Sequence, residues 1–96
     1  MHAVLRTYSG AGAKELFDLL EQHRSEVETI MRAVNGFVSY TLVRSADGGF
    51  SLTVNQDEAG AQESVRKAGD WVKQNASGAS AQAPKVSQGA VITHVT

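Results

Sequence analysis

Along this 96-residue chain the spacing of apolar side chains changes from strand-like to helix-like and back twice, an order that leaves few folds open. Ala3 to Tyr8 is a short run of strand formers closed by Ser9-Gly10-Ala11-Gly12, which is loop chemistry. From Ala13 the spacing becomes helical: Leu16, Leu20, Val27, Ile30 and Val34 share one side, with Phe17, Leu19 and Met31 widening the stripe. Lys14, Asp18, Glu21, Glu28 and Arg32 fall opposite, so one continuous helix is predicted, stopped where Asn35-Gly36 supplies a left-handed residue. Phe37 to Ser45 is β-branched and aromatic, Ala46-Asp47-Gly48-Gly49 is a hairpin connection, and Phe50 to Gln56 alternates with Phe50, Leu52 and Val54 on one face. Asp57 is the expected cap of a second helix, Glu58 to Gln74, whose face is Ala61, Val65, Ala68 and Val72 with Trp71 at its shoulder. Gly60 and Gly69 each cost a helix about 1 kcal/mol relative to alanine, which predicts a close backbone approach or an interruption there. The small polar run Asn75 to Pro84 is read as loop, and Ala90 to Val95 as the last strand.

The resulting order, β-α-β-β-α-β, is the α+β ferredoxin-like arrangement: a four-stranded antiparallel sheet with two helices on one face, in a single domain over residues 1–96. Strand 1 places Val4 and Tyr8 on one side and Ala3 and Leu5 on the other, while strand 2 divides Val38, Tyr40 and Leu42 from Phe37 and Val43. Strands apolar on both faces are covered on both, and helices are available for one. A second copy packed sheet to sheet across a two-fold axis is the simplest cover, so a homodimer is expected. The same step explains a thin core, since 13 of the 40 apolar residues are alanine.

Nine basic and ten acidic residues leave a net charge of −1, which argues against a nucleic-acid-binding face or a membrane-surface helix. The absence of cysteine removes thiol catalysis, disulfides and cysteine-based metal sites. Glu21, Glu26 and Glu28 spread around their helix and do not converge, so no metal is expected. Without an apolar run of spanning length or a leader pattern at Met1 to Arg6, the chain reads as soluble and cytoplasmic.

The passage Gly36-Phe37-Val38-Ser39-Tyr40-Thr41-Leu42-Val43, the hairpin, then Ala59-Gly60-Ala61-Gln62-Glu63-Ser64 and Asp70-Trp71-Val72 resembles small stand-alone antibiotic-biosynthesis-monooxygenase-like proteins of the dimeric α/β-barrel superfamily. The resemblance covers nearly the whole chain and is best between Gly36 and Asn75. It implies a dimer formed by sheet packing and a pocket in each subunit between sheet and helices. Some members oxygenate polycyclic phenols without metal or flavin, and others degrade haem. The haem branch uses a histidine on the second helix, and none of His2, His23 and His94 lies there, so no cofactor is expected. The cofactor-free branch often carries a tryptophan at the end of strand 3, where this chain has Asn55 and its neighbours.

Helical spacing puts His23 near the middle of the apolar stripe, facing the sheet, as a base toward a phenol or as a core histidine bonded to a carbonyl or hydroxyl. Trp71 can stack on an aromatic ligand or serve as core. Tyr40 and Tyr8 can present hydroxyls to a pocket or to the sheet interface, and Asn55 lies at the open end of such a pocket or in a turn. Arg6 and Arg44 are expected at an edge or in an intersubunit ion pair, becoming anion binders only beside a cavity. Two functions fit these residues: a cofactor-independent monooxygenase acting on or binding a small aromatic or quinone-like metabolite, and a non-catalytic ligand-binding or stress-associated dimeric module.

Overall fold

A computed structural model describes residues 1–76, 78 and 82–96. Its elements are β1 (His2–Ser9), α1 (Ala13–Gln22), α2 (Arg24–Arg32), β2 (Phe37–Ser45), β3 (Gly48–Asn55), α3 (Glu58–Asn75) and β4 (Lys85–Ala90). The strands form one antiparallel sheet in the order β2-β3-β1-β4, the ferredoxin-like topology read from the sequence. Of the loop expected over Asn75 to Pro84, Asn75 closes α3, and residues 77 and 79–81 lie outside the described residues.

Three expectations change. The single first helix is two, because His23 takes φ −109° and ψ 24°. Its N–H still reaches Leu19 O at 2.9 Å and its carbonyl still accepts from Val27 N at 3.1 Å, so the path bends without losing the stripe: Leu16, Leu20, Val27 and Met31 are all buried. The last strand is Lys85–Ala90, not Ala90 to Val95. Its partner β1 begins at His2, opposite Ala90, so the chain beyond has no ladder to join; Val91 N reaches Met1 O, and Ile92 and Val95 stand exposed. In β2 an extra residue at Val38 breaks the register between Phe37 and Ser39, which brings Phe37 to the side of Tyr40 and Leu42.

The core lies between the helices and one sheet face, where Leu16, Phe17, Leu20, Val27, Met31 and Trp71 meet Tyr8; Val4 is buried farther along β1. Phe17 can approach the strand backbone closely because residue 49 is glycine: with φ +159°, a Cβ there would collide with the Phe17 ring and the Val43 carbonyl. Asp57 caps α3 by accepting from Gly60 N at 2.8 Å, and a Cβ at Gly60 would come within 2.7 Å of Asn35 O, the close approach its position predicted. Across the ladder from Arg6 and Val4, β3 presents Ser51 and Thr53 to the helices, followed by Asn55, all three buried. The central strand therefore puts a polar row where an apolar one is usual, and Phe50 and Leu52 point to the opposite face, which no helix covers, with Leu5, Thr41 and Val43, while Val54 on that side is buried.

Candidate functional site

The polar row of β3 and the neighbouring strands assemble a cluster that no motif announced. Arg6, on an inner strand, is only 6% exposed. Its guanidinium donates to the Tyr8 hydroxyl and lies 5.5 Å from the centre of the Tyr8 ring. Opposite it in the ladder, the Ser51 hydroxyl is buried and has no hydrogen-bond partner among the described residues. Arg6, Tyr8, Tyr40, Ser51 and Trp71 border an inner cavity of about 20 Å³. A larger cavity, about 270 Å³, is walled by Phe17, Val27, Tyr40 and Leu42, with Glu21, Arg24, Glu28 and Arg44 around it. The two share Val27, Tyr40 and Leu42. The larger has space for an aromatic ring; the inner one holds little more than a single oxygen atom.

Tyr40 titrates above its ordinary value of 10.0, chiefly because burial disfavours the phenolate; the Arg6 charge opposes that shift and Tyr8 adds to it. At neutral pH Tyr40 is a phenol that can donate a hydrogen bond, not a base. Arg44 pairs with Asp18 at 3.0 Å and lies 3.9 Å from Glu21, strapping α1 to β2 across the outer cavity.

The other expected residues are placed differently. His23 lies at the bend between α1 and α2, its side chain 42% exposed, rather than facing the sheet. It makes an edge contact with Trp71, ring centres 5.9 Å apart, stands 3.8 Å from Glu26, and lines neither cavity. Trp71 is buried and donates from Nε1 to Glu26 at 2.9 Å, so its ring is both inner-cavity wall and core. Asn55 is fully buried and accepts from Ser64 Oγ at 3.0 Å, and its Nδ2 has no partner among the described residues; it borders neither cavity. The structure thus unites Tyr8, Tyr40 and Trp71 and leaves His23 and Asn55 apart. Arg6 is the residue that sequence reasoning missed as a centre, though its place on the same strand face as Val4 and Tyr8 was the available signal. Among the described residues no group of three or more His, Cys, Asp or Glu could hold a metal ion, and no helix is long and apolar enough to cross a membrane.

No family model and no curated protein matches the chain. Solved structures do. A monooxygenase from Streptomyces coelicolor, in complex with nanaomycin D, is 19% identical with a TM-score of 0.66, over 99% of this chain and 89% of the other. A protein of unknown function from Nitrosomonas europaea is 14% identical with a TM-score of 0.70, over 99% and 91%. A dimeric ferredoxin-like protein from an uncultured marine organism is 10% identical with a TM-score of 0.64, over 99% and 95%. At such identities the likeness concerns the fold. The fold of this chain is that of the antibiotic-biosynthesis-monooxygenase-like proteins.

Proposed function

We propose that the protein takes a flat aromatic or quinone-like metabolite into the outer cavity, with Tyr40 at its inner wall, and oxidises it with dioxygen. The observation that carries this reading is the approximately 270 Å³ space against Phe17, Val27, Tyr40 and Leu42, meeting a buried polar cluster at its inner end. The similarity in fold to monooxygenases such as that of Streptomyces coelicolor supports the reaction type. For an anthrone the balance is simple: a ring CH₂ and one O₂ give a carbonyl and water, with no other reductant. The expected functional unit is a homodimer joined through the uncovered sheet face, as the dimeric ferredoxin-like neighbour suggests. The test is aerobic incubation with anthrones and hydroquinones, following quinone absorbance and dioxygen uptake. Wild type is expected to exceed buffer, and Leu42→Trp, which fills the outer cavity, to lose both turnover and binding. If wild type neither binds nor oxidises any of them, the reading falls. The second reading, a ligand-binding module without chemistry, draws support from the roughly 20 Å³ left beside Trp71, too little to enclose a substrate there. Its signature is binding with no dioxygen uptake.

A further inference from the structure

Arg6 is buried against β3 without a carboxylate. None of the ion pairs among the described residues includes it, and residues 77 and 79–81 are serine or alanine and carry no acid. A guanidinium stays protonated at any ordinary pH, and a charge removed from water without a counter-charge is costly to the fold. What Arg6 has instead is a neutral hydroxyl, Tyr8, and across the ladder a second one, Ser51 Oγ, whose hydrogen-bonding capacity is unused among the described residues although the residue is only 3% exposed. Both adjoin the inner cavity, whose volume suits one oxygen, while the adjoining outer cavity suits a ring.

We propose that Arg6 and Ser51 form a receiving site for an oxyanion carried on an aromatic ring, the oxygen entering the inner cavity and the ring remaining against Phe17, Val27 and Leu42. The proposal rests on the pocket reading above and narrows it: the ligand is a phenolate or an aromatic carboxylate, and the anion supplies the counter-charge that the chain itself withholds from Arg6. Its electrostatic gain is large because the charges meet away from water. Tyr8 and Tyr40 are the other titratable groups at the inner cavity; Glu21, Glu28, Arg24 and Arg44 border the outer one.

The experiment measures binding to the intact protein of two matched pairs: para-nitrophenol against its methyl ether, and benzoate against benzamide. The anion of at least one pair is expected to bind about tenfold or more tighter than its neutral partner, corresponding to a fall of about one unit in the apparent pKa of bound nitrophenol. The pair that shows the preference identifies the source of the oxyanion. Arg6→Met is expected to erase the preference while leaving ether or benzamide binding in place, and to unfold, unliganded, at a temperature no lower than wild type, since it removes an uncompensated charge. Ser51→Ala should reduce the preference by a smaller factor. Should Arg6→Met fail to fold, the wild-type pairs decide alone. Equal binding within both pairs overturns the oxyanion site and leaves the pocket reading standing. No binding of any probe overturns both.

Discussion

Tyr40 stands at the wall shared by the two cavities, and its ionisation is coupled to folding. Burial raises its native pKa, so the folded chain holds that proton more tightly than the unfolded chain, where tyrosine titrates near 10.0. The stabilisation is complete below pH 10.0 and is lost as pH rises through the raised native value. Denaturant unfolding across the alkaline range should reveal that decline, and Tyr40→Phe should flatten it. Arg6→Met, by deleting the cation that opposes the shift, should move the native titration of Tyr40 higher still, as read from phenolate absorbance. His23 makes the complementary case. Because it lines neither cavity, His23→Ala is expected to keep turnover near wild type, while Tyr40→Phe lowers it about a hundredfold, the scale of one positioned hydrogen-bond donor or proton-transfer group. A large loss in His23→Ala would return the histidine to the chemistry.

Local signals placed most of the elements and misplaced those whose limits depend on a partner. The Asp57 cap and the β2 range were written in side-chain chemistry, and the structure holds both; the helix itself stops earlier than Asn35-Gly36, at Arg32 with Ala33 as its cap, and Gly36 at φ +76° lies in the turn into β2. The bend at His23 was not, because the apolar stripe continues across it and periodicity is blind to a change in path that keeps the stripe. The last strand was misplaced for a different reason. Val91, Ile92 and Val95 have the better strand composition, but pairing is decided by where β1 begins. The bend also gives α2 a side-chain tie to α3 through Glu26 and Trp71 Nε1, so Glu26→Ala should lower unfolding free energy by about 1 kcal/mol without altering ligand affinity. Gly49→Ala acts through the backbone and through Phe17, and a loss of about 3 kcal/mol is expected in denaturant titrations, from left-handed strain combined with overpacking.

At the scale of the molecule, an apolar alternation on both sides of the strands announced two covered faces, and the chain's own helices cover one. The uncovered face carries Leu5, Thr41, Val43, Phe50 and Leu52, with Leu52 39% exposed, so Leu52→Glu should shift light-scattering mass toward the monomer while leaving the monomer's own fold intact. A monomeric wild type at micromolar concentration would dismiss the dimer. The site was less legible than the fold because its centre is a burial effect. The parity of Arg6 with Val4 and Tyr8 names its face, but whether solvent reaches that face depends on α2 and α3 closing over the sheet, a property of the assembled whole. Gly69 offers a way to watch that interior. It borders, with Arg6, Val65, Val72 and Val86, an apolar hollow between α3 and β4, and a Cβ there would meet nothing within 4 Å among the described residues. Because the natural chain holds no sulfhydryl, Gly69→Cys would be the sole attachment point for an environment-sensitive dye, turning the vacant side of this helix into an optical gauge of whether the buried charge has found its counterpart.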